Sequence, residues 1–542
     1  MNNMQFTSYV EALLDQLAMH ADSAVLRYRG QDVTGAALRG SIYRYARALE
    51  ALDVGRGSFV AMFAPNCPDA LAVRYASNLL GAATMFLPAI VEASRRDALL
   101  ARLQPTHLIA FAETAGLMPD TTDARIAYIG AGPEDVRLDE RARTQSDAPM
   151  PGRAHADDLA VVVCSGGTTG LPKASCRSFA AYSGMVKAAS DTKRRQLVNG
   201  ALAYLSQVLV DMTLAGGGTV VLADRYDAAS TLETIEAERI TDMLLVEPQL
   251  FETMDHPDVA RRDLSSLRSI AHVGGSAPAV LRGRAMKRLG PVLTHMYGAS
   301  EAGLVSVLPA SEASARADLL SSAGRVRAGV DVRVRCSDGS LAHDGEAGSI
   351  EVKSAAVAAG YRNQPDEQAK KFVDGWCLMG DIGYIDAEGY LHILGRAADV
   401  AQIDGLIIGP TQIEDVLCSL PDVRYAVAFA AIGASDGRAW TVAVEPWHGR
   451  MIDVERCTRV LSACFGACVA NALRVAVFER VPLTEQGKPD RVTIEKMCAS
   501  PLDVDMCTDQ CVRRAPCVSS DVMQSTDQPV SPPATGNTVP VI

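Results

Sequence analysis

Leu159-Ala160-Val161-Val162-Val163-Cys164 runs without a break into Ser165-Gly166-Gly167-Thr168-Thr169-Gly170-Leu171-Pro172-Lys173, and this stretch decides the fold. The first part is an unbroken apolar run rich in β-branched residues, the pattern of a strand buried on both faces. The second part is a loop of glycines and hydroxyls that closes on Pro-Lys. Glycines let backbone approach an anion, hydroxyl and amide groups donate to phosphate oxygens, and the lysine adds a compact positive charge. A phosphate cradle at the end of a buried strand is therefore expected. It is not a Walker loop, because Gly170 is followed by Leu171 and not by lysine and a hydroxyl residue.

Working outward, similar short apolar runs recur between helical stretches at Ser58–Ala64, Thr219–Ala223, Asp242–Val246 and Leu267–Val273. That alternation predicts an α/β architecture with buried strands. From Gly345 the texture changes to shorter, turn-linked strands at Gly348–Ser354, Gly383–Asp386 with Glu388–Leu394, and Ala426–Ala431, as in α+β pieces. The expected organisation is a large multi-layer N-terminal domain over 1–395 and a smaller mobile α+β C-terminal domain over 396–499. The tail 500–542 has little apolar periodicity and reads as disordered. Cys507, Cys511 and Cys517 in it have no accompanying histidine and match no finger spacing, so a flexible extension is favoured over a metal site.

With 542 residues, 48% hydrophobic and 21% charged, the composition is that of a globular chain long enough for more than one domain. The formal net charge of −12 repels phosphate backbones and anionic lipids, which argues against nucleic-acid and membrane-surface partners. The first residues lack a basic segment followed by an apolar core, so no secretory signal is read. Leu197–Ala223 is the most membrane-like stretch, yet Asn199, Gln207, Asp211 and Gly216-Gly217-Gly218 interrupt it, and it reads as buried helix and strand. Thirteen scattered cysteines suit reduced core thiols, and the cytoplasm is the expected compartment.

Further motifs follow the loop in order: Gly274-Gly275-Ser276-Ala277-Pro278; Met296-Tyr297-Gly298-Ala299-Ser300-Glu301; Gly375-Trp376 through Gly380-Asp381-Ile382-Gly383; Gly395-Arg396-Ala397-Ala398-Asp399; and Pro482-Leu483-Thr484-Glu485-Gln486-Gly487-Lys488. Together with the glycine loop they resemble the blocks of the adenylate-forming enzymes, which comprise acyl-CoA ligases, firefly-type luciferases and nonribosomal peptide adenylation domains. The resemblance covers about Tyr28 to Lys496. Departures from the family pattern are Ala174 after the loop lysine, Ser300 for the usual threonine, Ala398 at the rotating position and Gln402 in the lysine-bearing stretch that follows.

The resemblance implies a site. ATP would be held by Ser165, Gly166, Gly167, Thr168, Thr169, Gly170 and Lys173, by Gly275, Ser276 and Ala277 along adenine, by Tyr297 as an aromatic face for adenine, by Ser300 at phosphate, by Asp381 at the ribose hydroxyls, and by Arg396 contacting the nucleotide. A carboxylate suits the ribose because it accepts two hydrogen bonds side by side. Glu301 would ligate Mg²⁺ as a hard oxygen donor, and Lys488 would be the adenylation lysine. Gln207, Gly298 and Ala299 would line the acyl pocket, their small residues admitting a bulky acid. Ala398 would be the hinge, and Gly405 would border the tunnel for the thiol arm. The implied reaction joins a fatty or aryl carboxylic acid to coenzyme A through an acyl-adenylate. Loading of an acyl carrier protein, a non-catalytic nucleotide-binding paralogue and a serine/glycine-rich amidase are the alternatives; the amidase leaves Asp381 and Lys488 unexplained.

Overall fold

The computed structural model describes residues 6–130, 132–133, 136–164, 171–187, 189–203, 205–275, 278–403, 406–430, 440–484 and 488–499. The loop residues 165–170, Ser276, Ala277, Gly405 and the tail from 500 lie outside that set.

Among the described residues the apolar runs pair into two large, mainly parallel sheets. A nine-stranded sheet carries Thr219–Leu222, Arg195–Val198, Asp242–Leu245, Ser269–His272 and Leu293–Ala299 side by side in parallel. A seven-stranded sheet carries Phe59–Phe63, Ala83–Phe86 and Leu159–Cys164 in parallel, and Ala174–Ser178 returns antiparallel to the last of them. These strands lack polar alternation because helices cover both faces; Phe59–Phe63 is buried at every position. Within Leu197–Ala223 the expected division appears, as strand Arg195–Val198, helix Leu205–Ala215 and strand Thr219–Leu222. No described helix is long and apolar enough to cross a membrane.

After Val330 the chain builds a separate antiparallel layer. Val330–Arg335, Gly348–Ser354, Trp376–Ile385 and Leu391–Arg396 form a second kind of layer. Trp376–Ile385 begins earlier than the sequence suggests. Its pairing with Gly348–Ser354 shifts register around Gly380, whose φ of 76° favours glycine, and the strand then resumes. The irregularity falls beside Asp381.

The chain ends in a smaller unit built on the sheet Val423–Ala430, Trp440–Pro446 and Leu473–Val477, with helices Pro410–Cys418 and Val454–Phe465. One continuous apolar cluster joins it to the large domain, with Leu250, Phe251, Leu281 and Leu289 on one side and Ile413, Tyr425 and Leu417 on the other. The architecture is thus a mixed α/β fold with a large N-terminal and a smaller C-terminal domain.

Candidate active site

Strands of both large parallel sheets end at one cleft, and the ends of such strands are where open α/β sheets bind ligands. Leu159–Cys164 ends where the glycine loop begins, Ser269–His272 leads into Gly274-Gly275, and Leu293–Ala299 carries Tyr297 and leads into Ser300-Glu301. A cleft of about 2620 Å³ runs along these strand ends and continues between the domains. Lys173, Gly274, Gly275, Tyr297, Ser300, Glu301, Asp381, Arg396 and Lys488 all line it. Residues separated by more than three hundred positions in the chain are thus brought to one surface.

Tyr297 and Asp381 form the core of one wall. The Tyr297 hydroxyl donates to Asp381 Oδ2 at 2.6 Å, and Arg396 Nη1 lies 3.2 Å from Asp381 Oδ1. Burial and the Asp381 carboxylate push the Tyr297 phenol well above its ordinary range, so it remains a donor. The Ser300 hydroxyl donates to the Cys164 carbonyl at 3.3 Å, which ties the Tyr297–Glu301 segment to the start of the glycine loop. Gly275 has a physical reason to lack a side chain, because a Cβ there would overlap the Glu247 carboxylate.

Glu301 is buried and accepts a 2.6 Å hydrogen bond from the Tyr361 hydroxyl. Tyr361 belongs to Gly360–Tyr361, a short strand added to the edge of Ala174–Ser178. Its ring also lies under Lys173, whose ammonium is 5.6 Å from the centroid and 2.5 Å from Glu367 Oε2. Glu367, Lys173, Tyr361 and Glu301 therefore form one connected row. Sequence reasoning missed Tyr361 and Glu367; the available signal was the unassigned Gly360-Tyr361 followed by Pro365-Asp366-Glu367. No group of three or more metal-ligating side chains occurs among the described residues. A single carboxylate fits Mg²⁺ that keeps waters and is held mainly by nucleotide phosphates, and does not fit an all-protein metal cage.

Lys488 comes from the small domain and is seated in the same cleft. Its Cε lies 3.5 Å from the position a Gly274 Cβ would occupy. The backbones of Thr484 and Lys488 are joined by a 2.7 Å hydrogen bond, and the Lys488 amide donates to Thr484 Oγ1 at 3.2 Å. Burial and the Arg396 guanidinium lower the ammonium's pKa, while Glu301 works the other way. Its ammonium has no hydrogen-bond partner among the described residues. Lys488 is half-buried, and an anion bound in the cleft would add to the charge compensation that Glu301 gives it.

The acyl-pocket expectations fare differently. Leu205, Ser206, Val208, Leu209 and Met212 line the cleft from helix Leu205–Ala215, at the spacing of one helical face. Gln207 is not among them and is buried on the opposite side, one turn before Asp211. Asp211 is fully buried and fixes that side of the helix, accepting bonds from Arg74 at 2.8 Å, Tyr75 at 2.5 Å and Tyr182 at 2.7 Å. Gly298 and Ala299 do line the cleft. The missing side chain at Gly298 is imposed by the backbone, however, since a Cβ would overlap the Gly303 carbonyl across the antiparallel pair. Gly298 therefore carries no information about the size of the acid. Ala398 also borders the cleft.

The family model described as "AMP-binding enzyme" matches residues 13–362. A medium/long-chain-fatty-acid–CoA ligase, FadD8, of Mycobacterium tuberculosis is 29% identical over 506 residues, covering 89% of this chain and 88% of that protein. A feruloyl-CoA synthase of an Amycolatopsis species is 30% identical over 483 residues, covering 87% and 95%. Among solved structures, the amide bond synthetase McbA from Marinactinospora thermotolerans superposes with a TM-score of 0.81 at 27% identity, covering 90% of this chain and 99% of McbA. The motifs, the shared cleft and a family match spanning most of the large domain lead to one conclusion: this chain belongs to the AMP-binding enzyme family.

Proposed function

We propose that this protein is an ATP-dependent, AMP-forming acid–thiol ligase that activates a fatty or aryl carboxylic acid and transfers the acyl group to coenzyme A. The observation that carries the reading is the seat of Lys488, a small-domain cation placed against Gly274 of the large domain, beside Glu301 and Arg396. Attack of a carboxylate on the α-phosphorus of ATP brings two anions together, so the site must supply positive charge and orientation. Lys488 and Lys173 supply charge, Asp381 and Tyr297 hold ribose and adenine, and the apolar face of helix Leu205–Ala215 receives the acid. Glu301 would hold Mg²⁺, which when bound neutralises charge on the phosphates. Pyrophosphate leaves, and the mixed anhydride is then open to a thiol at its carbonyl. In this reading the small domain begins at Arg396 and turns between the two steps. The naming of FadD8 and of the feruloyl-CoA synthase supports coenzyme A as acceptor.

Acid-dependent ATP–pyrophosphate exchange, followed by a panel of fatty and aryl acids with coenzyme A, tests the proposal. Exchange with no acid on the panel would overturn it. The full-length likeness to an amide bond synthetase favours a second reading, in which an amine nitrogen takes the acyl group. Exchange together with amide products and no thioester would select it.

A further inference from the structure

One face of the nine-stranded sheet forms a wall of the cleft. Every second residue of a strand shares a face, and Ser269, Ala271 and Val273 all line the cleft, as do Asp242, Leu244 and Val246 beside them. The parallel register sets Asp242 between Gln196 and Ser269, and Leu244 next to Ala271. The wall is therefore layered: apolar at Val246 and Val273, apolar at Leu244 and Ala271, and polar at Gln196, Asp242 and Ser269. At about 3.3 Å per residue, the four steps from Val273 to Ser269 put the polar layer about 13 Å below the layer that adjoins Gly274 and Lys488. Helix Leu205–Ala215 connects two parallel neighbours, so it runs back along this wall, with Leu205 towards the nucleotide edge and Met212 towards the polar layer.

Arg194, just before strand Arg195–Val198, lines the cleft beside the polar layer. Its Nη2 donates to Gln196 Oε1 at 2.7 Å, and its Nε lies 3.9 Å from Asp242 Oδ1, too far for a hydrogen bond. That Nε is buried and has no hydrogen-bond partner among the described residues. A buried guanidinium N–H without an acceptor is costly, so it marks a place where an acceptor from outside is gained. The neighbouring groups do not fill it: the Gln196 amide donates to the Leu197 carbonyl at 3.1 Å, and the Ser269 hydroxyl lies 3.4 Å from that of Thr294. Asp242 Oδ2 accepts from Thr241 at 2.5 Å and from Arg268 at 3.0 Å, and Arg268 also donates to Asp191 at 3.0 Å. Two guanidinium groups thus face two carboxylates. A further carboxylate beside Arg194 would be repelled by Asp242, whereas an uncharged oxygen would not.

We propose that the cleft takes a carboxylic acid carrying an uncharged oxygen, a carbonyl or a hydroxyl, at the end remote from its carboxylate, and that Arg194 binds this oxygen through Nε. This rests on the reading above in one respect, that the cleft holds the acid. The carboxylate lies at the Gly274 edge, the apolar middle of the acid lies against Leu244, Ala271 and Met212, and the remote oxygen supplies the acceptor that Arg194 lacks. A hydroxyl in that place can also donate to Asp242. A plain alkyl end would instead be buried against Arg194 and Gln196 and leave Nε without a partner. Sites that pair with a substrate oxygen discriminate against the analogue lacking it for this reason.

Isothermal titration calorimetry of the full chain with octanoic, decanoic and dodecanoic acids, and with the ω-hydroxy counterpart of each, reads the preference without any need for catalysis. The native protein should bind at least one ω-hydroxy acid about tenfold more tightly than its plain partner, the size of one hydrogen bond to a charged group. An apolar pocket end would favour the plain acid. Arg194→Met keeps an unbranched stem and removes the donor, and should abolish the preference. Gln196→Leu removes the acceptor that orients Arg194 and should reduce it, so it carries the test if Arg194→Met does not fold. Equal affinities in every pair, no binding of any ω-hydroxy acid, or a preference that persists undiminished in the variant overturns the proposal. Pyrophosphate exchange with the same acids separates the two claims: exchange without a preference removes the role of Arg194 alone, and a preference in binding without exchange from any acid removes the ligase alone.

Discussion

Tyr297 and Asp381 stand 84 positions apart in the chain and are joined by a 2.6 Å hydrogen bond that spans the expected adenine and ribose positions. Asp381 also pairs with Arg396, so the bond holds the carboxylate between a neutral donor and a cation. A hydrogen bond to a charged group contributes about 1.5–3 kcal/mol. Tyr297→Phe should raise the KM for ATP about tenfold with a smaller change in kcat, and Asp381→Asn should raise it further because Arg396 also loses its partner. Steady-state kinetics with varied ATP check this; an unchanged KM in both variants would remove these residues from the nucleotide site.

The Tyr361–Glu301 contact leads to a metal-dependence prediction. Glu301→Gln removes the charge that would hold Mg²⁺, and Tyr361→Phe removes the donor that orients it. Both should shift the Mg²⁺ titration of pyrophosphate exchange to higher concentration, Glu301→Gln by more, with melting temperatures close to native. Identical titrations for native protein and Glu301→Gln would show that the ligand lies elsewhere.

Gly298 offers a test of backbone against pocket. Adding one methyl at this position forces the Leu293–Ala299 and Gly303–Leu308 strands apart. Gly298→Ala should therefore lower stability by about 1–3 kcal/mol, the usual cost of overpacking. Acid preference among correctly folded molecules should not change. A variant of native melting temperature with a narrower acid range would restore the pocket reading.

Much of this arrangement was legible in the sequence, and what was not has a common cause. Leu159–Cys164 declared itself because a parallel strand buried on both faces has to be apolar throughout. Trp376–Ile385 was read too short because its local pattern breaks at Gly380, where the pairing with Gly348–Ser354 shifts. Gln207 was assigned to the wrong face because the orientation of helix Leu205–Ala215 is fixed by Asp211 and Arg74, 137 positions apart. Tyr361 and Glu367 were missed for the same reason: their partners Glu301 and Lys173 lie far away in sequence.

Lys488 carries the sharpest chemical prediction. In the proposed reaction its ammonium would face charge that develops during adenylation, and it has no side-chain hydrogen bond among the described residues to lose on truncation. Lys488→Ala should cost about 10²–10³ in the adenylation rate, about 3–4 kcal/mol, with little change in melting temperature. In that role the charged form would be the active one, and burial with Arg396 lowers its pKa. Native activity should then fall on the alkaline side at a lower pH than an exposed lysine would give, and the residual activity of Lys488→Ala should lack that limb. Near-native exchange in the variant removes Lys488 from the reaction.

In the proposed reaction, the link between Arg396 and Asp399 offers a test that separates the two half-reactions. Arg396 is tied to the large domain through Asp381 and the Met379 carbonyl, 3.2 and 3.3 Å away. Asp399 is tied to the small domain, accepting from the Ala430 amide at 3.0 Å and from Arg491 at 2.5 Å, while its carbonyl accepts from Trp440 at 2.7 Å. Ala397 and Ala398 lie between these fastenings, and any rotation of one domain against the other has to pass through their torsions. The Ala397 amide donates to the Gly380 carbonyl at 2.9 Å, whereas no hydrogen bond from the Ala398 amide occurs among the described residues, so proline at 398 breaks none. Its fixed φ would hold one arrangement. Ala398→Pro should retain acid-dependent pyrophosphate exchange and lose most thioester formation, even when pre-formed acyl-adenylate is supplied. Equal loss of both half-reactions would point to local misfolding, and undiminished thioester formation would place the pivot elsewhere or show that the second step needs no rotation.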